Sequence, residues 1–145
     1  GHEAEHYVAK LVDYVEARDD VDAERIGLSG NSLGGYYAPR AAAFEKRLKC
    51  CIAWGALWDF SVYFERAYAK IETAPSVPDM VSHGMWVMGQ KTAEDALAVS
   101  RQMTLEGVID KVSADDDQIR CRRDDAIQGP RIQLHHLATE PRGNG

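Results

Sequence analysis

Apolar positions along the chain change their period several times, and each change marks an element. From about Glu3 to Arg18, Val8, Leu11, Val12 and Val15 recur among charged residues at the spacing of a helix that covers a sheet. Asp22 to Arg25 supply a turn, and Ile26 and Leu28 begin a short apolar strand. Tyr36 to Phe44 is a run rich in alanine, the composition of a helix that lies close on a sheet. Lys46, Arg47 and Lys49 follow near its C-terminal end, where the helix dipole favours positive charge. Cys50 to Gly55 is then apolar almost throughout, as a buried parallel strand is. Ile26, Leu28, Ile52 and Ala53 are expected to be buried in two adjacent parallel strands, with Ala38, Ala41 and Ala42 in the covering helix.

Further along, Trp58, Phe60, Tyr63, Phe64 and Tyr68 make an aromatic stripe at helical spacing. Pro75 and Pro78 interrupt the chain, and Met80, Met85, Trp86 and Met88 follow. Thr92 and Asp95 have the spacing of a capping box that opens a helix through Ala96, Val99 and Met103. Two readings fit this stretch: a roof over an aromatic or polyketide-like substrate, or plain helix packing, which accounts for most of the side chains. Between Ser113 and Gly145 no four-residue apolar run occurs, so a polar, disordered tail is expected there.

The chemistry concentrates in Gly30-Asn31-Ser32-Leu33-Gly34, a G-x-S-x-G sequence between the first strand and the helix after it. A tight strand-to-helix turn pushes a serine out of the sheet and aims the next N–H groups at a developing oxyanion. Ser32 is the expected nucleophile and Leu33 the backbone oxyanion donor. Gly30 and Gly34 are both expected where a Cβ would clash. The alternative is an ordinary βαβ unit whose serine is incidental.

The stretch from Arg25 to Phe60 resembles the α/β-hydrolase superfamily. Within it, S-L-G-G-Y-Y-A-x-R-A-A-A-F-E-x-R-L followed by C-I-A-W-G is similar to the branch of 2,6-dihydroxypseudooxynicotine hydrolase, the fungal pigment polyketide-shortening hydrolases and FrsA-like esterases. A weaker likeness runs from about His6 to Val112. The resemblance implies a partial α/β-hydrolase fold, with a parallel sheet, a nucleophile elbow and a helical lid inserted after Gly55. It implies residues 1–112 as partial core, with lid helices at about 57–107, and 113–145 as an irregular tail. It also implies hydrolysis of an ester, or of a C–C bond in an aromatic or polyketide-like ketone, by Ser32.

The triad order of the superfamily is Ser, acid, His. Asp116, within Asp115 to Asp117, stands near the expected place of the acid, and His135, beside His136, stands downstream as base. Both lie in the polar tail, and a tail position without a triad role is the alternative for each. Asp59 is a second candidate acid, with a helix N-cap as its structural reading. The chain begins at Gly1 and carries one helix ahead of the elbow strand, so a fragment is expected. It lacks the earlier loop that supplies a second oxyanion donor, and alone it is expected to be feebly active at most.

Composition sets limits. With 145 residues, 45% hydrophobic and 28% charged, the chain suits one modest globular domain. A net charge of −6, with scattered basic residues, argues against a nucleic-acid surface, and no apolar run suits a bilayer. Three cysteines without metal spacing or a disulfide framework suit a reducing, cytoplasmic setting. No cofactor and no metal is expected, a small molecule is the expected partner, and self-association of the full-length protein stays open. One rival motif, His2-Glu3-Ala4-Glu5-His6, spells H-E-x-x-H, which on a helix can hold zinc. A zinc metallohydrolase and an inactive hydrolase remnant are therefore the two alternatives to a serine hydrolase.

Overall fold

The computed structural model describes residues 3–55, 57–70, 79–111 and 119–122. Helix α1 (Ala4–Glu16) leads into strand β1 (Gly27–Asn31), helix α2 (Gly34–Phe44) and strand β2 (Cys50–Trp54). Helices α3 (Phe60–Tyr68), α4 (Met80–Val87) and α5 (Ala93–Ser100) follow, and strand β3 (Ile119–Arg122) comes last. The sheet order is β1-β2-β3, and both pairings are parallel. Gly27 aligns with Cys50, and Cys51 aligns with Ile119.

The strand–helix–strand core follows the expected pattern, with a correction in which side chains it buries. Along β2, Cys51 and Ala53 are buried, whereas Ile52 and Trp54 are 39% and 44% exposed. A strand alternates its faces, and the Cys51–Ala53 face is the one beneath α2. Ile26 and Leu28 are half-buried, and Ile26 lies just ahead of β1. On α2 the buried alanines are Ala38, Ala41 and Ala43, with Ala42 half-buried. Pro39 sits inside α2 and is buried there.

Helix α1 lies against α2 and turns Ala4 and Val12 inward, with Val8 and Val15 half-buried. Leu11, expected on that face, is 60% exposed and joins Tyr7 and Tyr14 along the outer side. Arg40 binds the two helices together. Its Nε donates to Glu5 Oε2 at 2.8 Å and its Nη2 to Glu5 Oε1 at 2.9 Å. Beside this pair the Tyr36 hydroxyl is buried, without a hydrogen-bond partner of good geometry among the described residues. Burial raises the Tyr36 pKa, against the pull of the nearby Arg40 charge. A second tie comes from Arg47, whose guanidinium reaches Asp13, Glu16 and Glu45.

The helices after β2 pack on one another around Phe60, Phe64, Val81, Ala96, Met103 and Leu105, and Tyr36 of α2 joins the same cluster. Each begins at a side-chain cap. Asp59 accepts from the Ser61 N–H at 2.8 Å, Asp79 from the Val81 N–H at 3.0 Å, and Thr92 from the Asp95 N–H at 3.1 Å. The Thr92 hydroxyl also donates to Asp95 Oδ2 at 2.7 Å, so the N-cap half of the expected box is in place and Asp95 reaches back to the Thr92 side chain. Helix α5 ends at Ser100, and Met103 lies beyond it in the core. Helices α3 and α4 approach so closely at Gly84 that a Cβ there would stand 2.4 Å from Phe64 Cε2.

Four residues of the expected tail depart from that expectation: Ile119–Arg122 form β3 alongside β2. The pairing is a backbone ladder, so it needs an open edge on β2 rather than an apolar run of its own. The rest of 113–145 lies outside the described residues.

The Glu5–Arg40 pair makes acid stability testable. Burial is the largest single influence and pushes the Glu5 carboxyl up, but the Arg40 hydrogen bonds and charge, with a backbone hydrogen bond and the nearby His6, together outweigh it and hold the group below its ordinary 4.5. A carboxyl with a lowered folded pKa stabilises above its unfolded value and loses that contribution as pH falls through the folded one. Glu5→Gln is expected to cost roughly 1–3 kcal/mol at pH 7, the range for a hydrogen-bonded charge. In thermal melts, wild type should approach the variant as pH drops below 4.5. A constant gap down to the acid limit would show that the pair does not carry the effect.

Candidate active site

Ser32 stands between the end of β1 and the start of α2 with φ +55°. It is the one non-glycine residue in the left-handed region among those described. An L-residue there costs about 1–3 kcal/mol and persists only when its surroundings over-determine it. They do so here by three means. The Ser32 N–H donates to the Trp54 carbonyl at 3.1 Å, which ties the turn to the end of β2. The Gly35 N–H donates to the Ser32 carbonyl at 2.8 Å and starts the helix. The third means is close backbone approach. A Cβ on Gly30 would lie 2.0 Å from the Gly34 carbonyl oxygen, and one on Gly35 would lie 2.7 Å from that of Gly55.

This corrects the expectation for Gly34. Among the described residues, no atom beyond its chain neighbours and the backbone of its own helix lies within 4 Å of a Cβ built there. The position contributes its carbonyl to the crowding at Gly30 but has room for a side chain of its own. The close approach on the helix side belongs to Gly35, the residue that lets α2 lie against the loop after β2.

Ser32 is exposed into a cavity of about 630 Å³. Asn31, Ser32 and Leu33 line it from the turn, and Trp54 and Gly55 from the end of β2. Trp58, Phe60 and Tyr63, from α3 and the loop before it, and Met80, Val87 and Met88 around α4 enclose the remainder. The stripe therefore divides: Phe64 goes wholly to the core, Tyr68 packs at its margin, and Trp58, Phe60 and Tyr63 meet the cavity. Among the described residues the Leu33 N–H donates to no backbone carbonyl around the turn, whereas the Leu33 carbonyl accepts from Tyr36 and Tyr37.

Asp59 lines the same cavity, and its Oδ1 accepts from the Ser61 N–H and, at 2.6 Å, from the Ser61 hydroxyl. That is the helix-cap role. Asp116 and His135, with their neighbours Asp115, Asp117 and His136, lie outside the described residues. So does His2 of the H-E-x-x-H sequence. Glu3 of that motif is the N-cap of α1 rather than part of its first turn, and Glu5 is held by Arg40. Two charged or titratable cavity residues escaped the sequence reading, Arg66 and His83. Their spacing signalled them: Arg66 is three residues after Tyr63 and His83 three after Met80, each on the face that meets the cavity.

The strand–turn–helix around a left-handed serine, on a parallel sheet and beneath a helical cap, defines part of an α/β-hydrolase fold. The relatives agree. The chain is 39% identical over 59 residues to the 2,6-dihydropseudooxynicotine hydrolase of Paenarthrobacter nicotinovorans, a match covering 41% of this chain and 16% of that protein. It is 29% identical over 135 residues to the hydrolase acrC of Aspergillus aculeatus, covering 74% of this chain and 31% of the relative. The crystal structure of the 2,6-dihydroxy-pseudo-oxynicotine hydrolase matches with a TM-score of 0.66 at 25% identity, over 83% of this chain and 31% of that one. No protein-family model matches. The chain is thus a relative of the α/β-hydrolases, and it spans under a third of the length of these proteins. No helix among the described residues is long and apolar enough to cross a membrane.

The glycine contacts give a direct check on the turn. Gly30→Ala should displace the Gly34 carbonyl and destroy the presentation of Ser32, and Gly35→Ala should do similar damage through the Gly55 carbonyl. Gly34→Ala should be tolerated, with a gain of up to about 1 kcal/mol from helix propensity. Thermal melts of the three variants would show it, and equal damage at Gly30 and Gly34 would refute the geometry.

Proposed function

We propose that the chain carries the nucleophile half of a serine hydrolase, with Ser32 attacking the carbonyl of an ester or of an aromatic or polyketide-like ketone. The observation that carries this reading is the left-handed Ser32 exposed on the lining of an apolar cavity. Attack converts the carbonyl oxygen to an oxyanion, and the Leu33 N–H is the donor proposed for it. A serine hydroxyl is a weak nucleophile without a base to take its proton and a group to orient that base. His135 and Asp116 are proposed for these roles, on their order along the chain. The aromatic and methionine lining supports a flat, mainly apolar substrate.

The zinc alternative gains no support from α1, where Glu3 stands at the N-cap position and Glu5 is paired with Arg40. An inactive remnant remains the competing outcome of the test. An alkyl fluorophosphonate should label one serine, identified as Ser32 by peptide mass spectrometry, and Ser32→Ala should abolish labelling without lowering the melting temperature. Turnover of p-nitrophenyl acetate should likewise vanish in Ser32→Ala. Labelling that survives the substitution would overturn the assignment, and no labelling of wild type would favour the remnant.

A further inference from the structure

The cavity is mostly apolar, and its few charged or titratable groups are unevenly committed. Asp59 is occupied at the cap of α3. Arg66 is not so engaged. Arg18, Arg25, Arg40, Arg47 and Arg101 each pair with a carboxylate, whereas Arg66 has no such partner among the described residues. Arg66 lines the cavity from α3, and His83 lines it from α4. The two helices pack side by side, so the cap places an exposed guanidinium and an exposed imidazole on the same cavity that the Ser32 turn lines.

We propose that Arg66 and His83 select a substrate that carries a carboxylate on an aromatic body. This rests on Ser32 as the nucleophile beneath them. A guanidinium presents a planar fork of donors that matches the two oxygens of a carboxylate, and the pair strengthens as the ligand displaces water. His83 supplies a further ring N–H donor. Trp58, Phe60 and Tyr63 hold the flat body by burial and ring contact, which a neutral analogue shares. The charge therefore decides between ligands of equal shape. Both residues act as specificity-determining groups, apart from the reacting carbonyl.

The test uses binding, so that it is independent of turnover. Trp54 and Trp58 line the cavity and report occupancy by fluorescence quenching. The probes are 2-naphthoate and its neutral isostere 2-naphthamide, titrated into the whole chain. Wild type should bind the naphthoate about tenfold or more tightly than the amide, the scale of one charge-assisted hydrogen bond. Arg66→Gln should remove that preference and leave amide binding within about twofold, and Arg66→Lys should retain part of it. His83→Ala should weaken the naphthoate alone. Arg101→Gln, which removes a cap arginine outside the cavity lining, should change neither ligand. Equal binding of the two probes, failure of wild type to bind the naphthoate, or a preference that survives in Arg66→Gln would each overturn the proposal. Should Arg66→Gln fail to fold, Arg66→Lys and His83→Ala decide it by the same ratio. Ser32→Ala should keep the preference. A chain that labels at Ser32 without preferring the anion sinks the selection alone, and the reverse result sinks the nucleophile alone.

Discussion

Everything around the candidate site depends on how closely α2 can start above the ends of β1 and β2. The helix begins almost directly on the strands, and the space for this comes from two positions without a Cβ. Gly30 accepts the Gly34 carbonyl, and Gly35 accepts the Gly55 carbonyl. With the backbones this close, Ser32 takes the left-handed conformation, and its N–H donates to the Trp54 carbonyl there. The energy stored in one dihedral is small, but the contacts that enforce it reach both strands and the helix. A serine presented this way keeps its position because moving it would require separating three backbone segments.

Much of this was legible in the residues. The order strand, turn, helix, strand could be read from Ile26 to Gly55, because apolar runs, glycines and alanines each have a local physical cause. The Thr92–Asp95 cap was legible for the same reason. What escaped was contact between distant segments. Gly30 and Gly34 look equivalent in the motif, yet their backbones face different neighbours, and only the fold separates them. Ile52 looks as buried as Cys51 until the face of the strand covered by α2 is known. Leu11 suits the inner face of α1 by spacing alone, but the helix rolls so that Ala4 and Val12 face α2. Arg66 and His83 carry no mark of function in the sequence beyond their spacing, and only the fold sets these two exposed residues on the cavity lining. Strand β3 was hidden because backbone pairing with β2 leaves little mark in side-chain character.

Charge is distributed in a similarly uneven way. The ion pairs that join separate elements, Arg40 with Glu5 and Arg47 with Asp13 and Glu16, sit behind the turn, between α1 and the region of α2. They brace the helix that carries the elbow and lie apart from the cavity lining. On the cavity side the cap relies on apolar packing, with the Arg101–Glu65 contact at 3.4 Å and exposed. The scaffold is thus held by polar ties where rigidity serves the turn, and by adaptable aromatic and methionine contacts where the enclosed space must fit something else.

The Phe64–Gly84 contact has a geometric consequence for that enclosed space. Helices in contact are spaced by the side chains between them, commonly at about 8–10 Å. Here the spacer on α4 is a single hydrogen atom, and the Phe64 ring of α3 occupies the space a Cβ would take. Arg66 and Tyr63 ride on one axis, and Met80 and His83 ride on the other. The breadth of the chamber is therefore gauged from behind its wall, by a residue that serves as a shim. A lineage could widen or narrow the chamber by changing the thickness of that shim while leaving the lining side chains as they are.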